Sequence, residues 1–238
     1  MPHHSQKTQT DSMAGSLSRE LIVEAALAQI DAVGPQGLSM RSLGPDLGVE
    51  PMSLYRYVNG KEDLLEGVVT LLMGNLTTSL DDELAEHWQG FLQTLAHHVR
   101  RIAIDHPRAF PLVATRHPAA PWLRPPLRSV EVVEAFLSAL IGFGFTDEQA
   151  VDVYRSFTSF LLGNLLLEAA VRGADTGPVS EPLDEGGADI PERDGLMDLG
   201  DAPQVLRLRD LLSDDRSDDE FEASLESLLD RLGSTLSQ

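Results

Sequence analysis

Residues 38–61, LSMRSLGPDLGVEPMSLYRYVNGK, are typical of two short helices joined by a tight turn and followed by the start of another helix. Ser39 suits the N-cap of the first short helix, and Gly48 suits the left-handed position that ends it. Pro51 fits the first turn of the second, where its missing N–H has no helical partner. With an amphipathic helix predicted at residues 17–33, the stretch indicates a helix-turn-helix, whose second helix enters the major groove of DNA.

The rest of the chain is also predicted to be helical, because apolar residues recur at helical spacing and no segment has the pattern of a strand. Asn59 with Glu62, Thr146 with Gln149, and Ser217 with Glu220 have the spacing of capping boxes. Further helices are expected at residues 62–76, 83–104, 109–116, 127–143, 147–171, 203–212 and 217–236. The fold class is therefore all-α.

The composition is that of an ordinary globular protein, with 42% hydrophobic and 24% charged residues. No apolar run approaches the roughly 20 residues of a membrane helix, so no membrane partner is expected. The absence of cysteine excludes disulfides and Cys-based zinc sites and fits a cytoplasmic location. Residues 1–16 are polar and are predicted to be a disordered tail without a targeting signal.

The net charge of -20 argues against nucleic-acid binding only until its distribution is counted. Residues 1–61 hold five Lys/Arg and six Asp/Glu, whereas residues 174–222 hold sixteen Asp/Glu and four Arg. The acid is therefore concentrated late in the chain. Residues 173–202 lack apolar periodicity, and we expect them to form a mobile acidic loop that can stay away from DNA.

The helix-turn-helix stretch carries cations and hydroxyl groups suited to phosphate oxygens, and its second helix begins with side chains suited to base edges. The candidate DNA contacts are Ser39, Arg41, Pro51, Met52, Ser53, Tyr55, Arg56, Tyr57 and Lys61. In the alternative interpretation, Tyr55 and Tyr57 are partial core residues and the cations form a solvated face.

Residues 17–69, particularly GLSMRSLGPDLGVEPMSLYRYVNGKEDLL, resemble the DNA-binding domain of the tetracycline-repressor (TetR) family of bacterial transcriptional regulators. LYRYVNGKEDLL is similar to that family's LYxHxxxKxxLL signature. The resemblance implies a homodimer that binds palindromic operators, with the family's DNA contacts falling on the same nine residues. It also implies an N-terminal three-helix DNA-binding domain at 17–63 and a larger helical ligand-binding and dimerisation domain at 64–238.

Two residues depart from the pattern of this family. Tyr57 stands where the signature usually has His. Pro45 lies inside the first helix of the motif, where it removes a hydrogen bond and clashes with the preceding turn at a cost of up to about 3 kcal/mol. We therefore expect that helix to bend or to end near Pro45.

The later segments WQGFLQTLAHHVRR and GFGFTDEQA resemble the tetracycline-repressor type of C-terminal domain. In tetracycline repressor, two imidazoles hold a magnesium chelate of the drug; the matching positions here are Thr77 and Val113. Since neither is His, we expect no tetracycline–magnesium ligand, no metal and no cofactor.

A small-molecule effector is expected in this second domain, although buried aromatics and a buried His are also ordinary core residues. The candidate ligand contacts are His98, Ile102, Phe110, Val113, Trp122, Phe136 and Phe157. The helices at 147–171 and 217–236 are expected to form the dimer, with Asn164 bonding its symmetry mate. The candidate interface residues are Phe160, Asn164, Leu165, Leu225, Leu228 and Leu232.

These patterns favour a transcriptional repressor released from its operator by a small hydrophobic or amphipathic molecule. One alternative is a DNA-binding regulator without such a ligand, controlled by a protein partner at the acidic loop. Another is a helical interaction module that does not bind DNA. An enzyme is not expected, since P-loop, GxSxG, HExxH and Glu-x-x-His patterns are absent.

Overall fold

The predicted all-α class is confirmed, since every regular element that the structure describes is helical. The computed structural model describes residues 17–79, 87–115, 117, 120–175, 208 and 217–236. The chain divides into two units, residues 1–175 and 176–238. The expected tail at 1–16, residues 176–202 of the acidic loop and, except for Leu208, the expected helix at 203–212 lie outside the described residues.

The helices begin near the predicted caps and end near the predicted turns. They are α1 (Arg19–Gly37), α2 (Met40–Asp46), α3 (Pro51–Leu54), α4 (Lys61–Ser79), α5 (Trp88–Asp105), α6 (Val130–Gly142), α7 (Asp147–Val171) and α8 (Ser217–Leu236). The capping box of Thr146 and Gln149 at the start of α7 is present in both directions. Where a helix was expected at 109–116, only a short 3-10 turn forms at Phe110–Leu112, in a segment rich in proline.

α1 packs against α4 and α2, and α2 packs against α3. Backbone φ at Gly34 is 78°, so α1 is interrupted at the predicted Gly-Pro stop. The side chains enclosed by these helices include Ile22, Ala26, Ile30, Leu38, Leu43, Leu54, Val58, Leu64 and Val68. A salt bridge of 2.7 Å between Arg19 and Asp63 joins the first turns of α1 and α4.

α7 packs against α5 and α6 around an aromatic cluster. The ring of Phe136 lies 5.8 Å from that of Phe157, 5.8 Å from that of Tyr154 and 5.9 Å from that of Phe91. On another part of α5, the buried Arg100 donates two hydrogen bonds, of 3.1 and 3.2 Å, to Glu168 of α7. α4 contacts α1 as well as α5 and α6, so one continuous helix joins the two groups of helices in the first unit.

Candidate nucleic-acid interface and effector cavity

The turn between α2 and α3 has the hydrogen bonds of a Schellman motif. The Gly48 N–H donates to the Pro45 carbonyl and the Val49 N–H donates to the Gly44 carbonyl, each at 3.0 Å, with φ of 67° at Gly48. Pro45 lies in the last turn, and α2 ends one residue later, as expected from its proline. A Cβ on Gly44 would lie 2.9 Å from the Val49 carbonyl oxygen and 3.0 Å from Pro51 Cγ. Glycine therefore permits the close approach of the two helices.

α2 is held by its own cap and by α1. Ser39 Oγ accepts from the Ser42 N–H at 3.1 Å, and Ser42 Oγ accepts from the Ser39 N–H at 3.1 Å. Ser42 Oγ is also 3.2 Å from Gln29 Oε1 of α1. Because Leu38, Met40 and Leu43 are buried beneath the helix, its outer face has a fixed orientation.

The second helix of the motif is shorter than predicted. It ends at Leu54 instead of Tyr57, and the chain continues in turns as far as Tyr57. Leu54 and Val58 are buried, whereas Met52 is 76% exposed and Tyr55 is 51% exposed. Burial at these two apolar positions, which are four residues apart, directs the intervening side chains to solvent.

All nine candidate DNA contacts are accessible to solvent. Pro51 and Ser53 are half-buried; Ser39, Arg41, Met52, Tyr55, Arg56, Tyr57 and Lys61 are exposed. Ser53 Oγ donates to the Glu50 carbonyl at 2.6 Å, so its hydroxyl has a structural partner as well. Tyr55 is 51% and Tyr57 39% exposed, so both side chains can be reached from solvent, and the interpretation of them as partial core residues stays open.

The first turn of α4 is fixed by Asp63 and not by Glu62, which the sequence spacing had suggested. The Asp63 carboxylate accepts the Asn59 N–H at 2.7 Å and pairs with Arg19. These two contacts hold the pKa of Asp63 below its ordinary value, and the hydrogen bond from the Asn59 N–H has a larger effect than the one from Arg19. Lys61, a candidate phosphate contact, is consequently attached to an anchored helix end.

An apolar cavity lies among α4, α5, α6 and α7. The free space inside it is small, about 30 Å³, so a drug-sized ligand requires the lining side chains to move apart. The lining residues are Met73, Leu95, Val99, Leu127, Val132, Val133, Phe136, Tyr154, Phe157, Thr158, Leu161 and Leu162. Such a wall suits a hydrophobic ligand.

Two of the seven candidate ligand contacts, Phe136 and Phe157, line this cavity. Phe110 and Val113 are buried in and beside the 3-10 turn instead, and Ile102 is half-buried. Trp122 is 73% exposed. None of these four residues lines the cavity, and neither does the fifth remaining candidate, His98. Helical spacing identifies inward-facing residues but does not tell which of them border empty space.

His98 is half-buried, and its Nδ1 is a buried ring nitrogen without a hydrogen-bond partner among the described residues. Val113, one of the two positions matched to metal-binding imidazoles, is fully buried; the side chain of Thr77, the other, lies outside the described ones. Within the described part of the chain, no three His, Asp or Glu side chains come together as a metal site.

One ion pair and one His–carboxylate contact connect the segment before α6 to α4. Arg128, buried beside the lining residue Leu127, donates to Glu62 of α4 at 2.9 Å and to Thr115 Oγ1 at 3.3 Å. His117 Nε2 lies 2.9 Å from Glu66 Oε1, one turn further along α4. The contacts with Glu62 and Glu66 join residues more than 50 positions apart, which no local pattern in the sequence pairs.

A separate contact connects the ends of α1 and α5. His106 Nδ1 lies 2.7 Å from Asp31 Oδ2. Arg108 also donates to the carbonyl oxygen of Asp31, at 3.2 Å. The helix-turn-helix region is therefore joined to the helices around the cavity through α1 as well as through α4.

The buried and exposed residues of α7 are not the ones that the predicted dimer interface requires. Leu165, a candidate interface residue, is fully buried within the protomer, because this face of α7 packs against the neighbouring helices. Asn164 is exposed, and its Nδ2 donates to the Phe160 carbonyl of its own helix at 3.1 Å. Two residues that the prediction omitted, Leu167 and Val171, are 72% and 90% exposed. They lie on the same side of α7 as Asn164.

In α8, the candidate interface residue Leu225 is buried, and Leu228 and Leu232 are half-buried. Phe160 of α7 is also half-buried. The expectation that these residues contact a second subunit stays a prediction.

No helix in the described ranges is both long and apolar enough to cross a membrane.

The chain is similar in sequence and fold to known proteins. Residues 82–235 match the family model described as "Tetracyclin repressor-like, C-terminal domain". An HTH-type transcriptional regulator of Saccharopolyspora erythraea is 31% identical over 169 residues, covering 71% of this chain and 68% of that protein. Tetracycline repressor protein class E of Escherichia coli is 29% identical over 163 residues, covering 68% and 74%. The fold resembles that of ActR from Streptomyces coelicolor in complex with (S)-DNPA, with a TM-score of 0.63, 20% identity and coverage of 93% and 99%.

Proposed function

Because the chain belongs to the TetR family of transcriptional regulators, we propose that it is a cytoplasmic repressor released from a palindromic operator by a small hydrophobic or amphipathic molecule. The observation that carries the proposal is a helix-turn-helix with an exposed outer face, whose neighbouring helix α4 is joined through Arg128 and His117 to the segment beside an apolar cavity. TetR-family regulators are DNA-binding transcription factors, and we propose no catalytic activity.

DNA binding is supported by the way the motif is built. Gly44, the Schellman turn at Gly48 and the cap at Ser39 fix one helix against the other. Met52 is the most exposed apolar side chain of the motif and has no role in its core. In the first turn of a recognition helix, such a side chain is suited to base edges, while Arg41 and Lys61 are suited to phosphates.

Dimerisation is supported by the exposed apolar face of α7. Leu167 and Val171, together with the exposed Gly163 and Asn164, form one side of the helix. An exposed apolar face of this kind is typical of an interface between subunits. We propose that a second copy covers it, with α8 completing the bundle, and that the dimer spaces two reading helices for successive major grooves.

Ligand response is supported by the position of the ion pairs. A ligand in the cavity would contact Leu127, which precedes Arg128 in the chain, and Val132 in the first turn of α6. Displacement of Arg128 or His117 would move Glu62 and Glu66, and with them α4. Only a ligand with different affinities for the two arrangements shifts their populations. ActR, whose fold is similar, was determined in complex with (S)-DNPA.

The experiment begins by selecting operator DNA from a genomic library with the full-length protein. Anisotropy titrations then compare wild type with Met52→Ala, Lys61→Ala and the control Gln93→Ala, an exposed residue of α5. We expect Lys61→Ala to weaken binding to all sequences and to reduce the salt dependence by about one counterion. Met52→Ala should alter sequence preference. If both variants bind like wild type while Gln93→Ala does too, the proposed reading face is wrong.

The alternative, control by a protein partner at the acidic loop, concerns residues 173–202, of which 176–202 lie outside the described ones. Deleting 176–202 tests it. Under the main proposal, operator binding and release by a cavity ligand persist in the deletion variant. Loss of all regulation with intact operator binding would favour the alternative.

A further inference from the structure

A second groove adjoins the effector cavity between α4 and the start of α6. It has a volume of about 270 Å³, and the described residues that line it are Thr70, Met73, Gly74, Ser129, Glu131 and Val132. Met73 and Val132 also belong to the wall of the apolar cavity. The two spaces therefore share part of one wall, and a ligand that moves Met73 or Val132 aside would reach both.

The interior of the cavity is unsuited to charge. Of the twelve described residues that line it, only Tyr154 and Thr158 carry polar side-chain atoms. Tyr154 Oη donates to the Pro125 carbonyl at 3.0 Å, and burial raises the pKa of Tyr154 to about 12, so the phenol stays neutral. An ion without a counter-charge in such a place loses several kcal/mol of hydration. The part of a ligand held inside must be uncharged and apolar, and Phe136 and Phe157 offer it aromatic contacts.

The groove has the opposite character. Among the described residues that line it, Glu131 alone is ionisable, and its side chain is exposed at the groove. Ser129 Oγ donates to Glu131 Oε2 at 3.1 Å, which orients the carboxylate. The nearby cation Arg128 is paired with Glu62. A positively charged group in the groove would be attracted to Glu131, and an anionic group would be repelled.

We propose that the effector has an uncharged apolar body that enters the cavity by moving its lining side chains apart and a cationic head, such as a protonated amine, that lies in the groove beside Glu131. The inference rests on the proposed ligand response and specifies the chemical class of that ligand. The competing explanation for Glu131 is purely structural, since a carboxylate in the first turn of a helix stabilises the helix dipole.

The experiment compares three probes with one bicyclic body: 1-naphthalenemethylamine, 1-naphthalenemethanol and 1-naphthoate. Their affinities for the full-length protein are measured by calorimetry at neutral pH and moderate salt. We expect the amine to bind best and the carboxylate worst. Since the groove is open to solvent, each step should be about two- to fivefold, the range typical of exposed ion pairs.

Two variants distinguish the binding role of Glu131 from its helical role. Glu131→Gln should remove the preference for the amine over the alcohol while leaving the alcohol's affinity unchanged. The control is Glu134→Gln, which removes another exposed carboxylate of α6. The Glu134 carboxylate accepts a hydrogen bond from Ser138 and does not line the groove. The control variant should keep the preference. Unfolding curves of both variants measure any contribution to helix stability separately.

Equal affinities for the three probes, a preference for the carboxylate, or an amine preference that survives Glu131→Gln would overturn this inference and leave an apolar effector cavity in place. Failure of all three probes to bind would also overturn it. Operator binding by the same protein preparation shows independently whether the proposed function in DNA recognition stands.

Discussion

Two exposed surfaces of the protein compare instructively: the reading face, which is the solvent side of α2 and α3, and the outward face of α7, which carries Asn164, Leu167 and Val171. The sequence indicated which residues of the first are exposed but not which residues of the second. The helix-turn-helix is built from neighbours in the chain, so Ser39, Gly48 and Pro51 define its caps and turn, and all nine candidate contacts prove accessible. α7 is apolar nearly all round, and Leu165 and Leu167 look alike in the sequence. Only packing places the first inside and leaves the second outside. Local chemistry therefore predicts a short motif better than it predicts a helix surface.

The largest effect is expected from Leu167→Glu. If α7 faces a second copy at Leu167, two carboxylates would be enclosed without partners at a cost of several kcal/mol each. The protein should become monomeric, and operator affinity should fall by about a hundredfold or more. Ultracentrifugation and anisotropy titrations measure the two effects. Ile141→Glu, at an exposed apolar site on α6, should leave the dimer intact; a dimeric Leu167→Glu protein would exclude this face as the interface.

Leu165→Ala should give the converse result on the same helix. Removing a fully buried side chain is expected to lower the free energy of unfolding by about 2–5 kcal/mol through lost contacts and a residual cavity. The variant should remain a dimer at concentrations where it is folded. Chemical denaturation with a parallel sizing measurement tests this. A Leu165→Ala protein that is monomeric and as stable as wild type would mean that Leu165, and not Leu167, faces the second subunit.

Gly44→Ala should affect the reading face. Its Cβ would lie 2.9 Å from the Val49 carbonyl oxygen, and overpacking of this kind costs about 1–3 kcal/mol. We expect a lower melting temperature and weaker operator binding, because the two helices of the motif must separate. Gly142→Ala, where an added Cβ meets nothing within 4 Å, is the matched control. Unchanged operator binding in Gly44→Ala would show that the turn tolerates another spacing.

Arg128→Gln and Glu62→Gln test the connection between the two regions. With Arg128 buried and Glu62 78% exposed at its side chain, we expect a modest coupling of about 0.5–1 kcal/mol in a double-mutant cycle of unfolding. Either single variant should also reduce ligand-dependent release of DNA. Arg101→Gln removes an exposed pair confined to α5, with Asp105 at 3.7 Å, and should not affect release. Additive single effects would place the connection elsewhere.

Asp63→Asn should have the smallest effect. Because folding lowers the pKa of Asp63, its charged form stabilises the protein above the ordinary carboxyl pKa of about 3.9. That contribution disappears as the pH falls through the lowered pKa of the folded state. Wild type should therefore be more stable than Asp63→Asn at pH 7, and the difference should narrow below about pH 4. Denaturant unfolding at several pH values measures it, and a difference independent of pH would contradict the assignment.

The candidate ligand contacts show where prediction from sequence stops. Periodicity indicated that Phe110, Phe136 and Phe157 face inward, and all three are buried. Only Phe136 and Phe157 border the cavity, because a cavity is the space that several helices fail to fill. Likewise, Asp63 and not Glu62 binds the Asn59 N–H, since α4 begins at Lys61 and not directly after Asn59.

The sequence by itself determined the all-α class, the helix-turn-helix with its shortened first helix, and membership of the family, because caps, turns, periodicity and signature are properties of neighbouring residues. Tertiary structure alone decided which face of α7 is free, which residues enclose the cavity and how Arg128 reaches Glu62. These features depend on the relative positions of helices far apart in the chain, which the period of 3.6 residues does not specify.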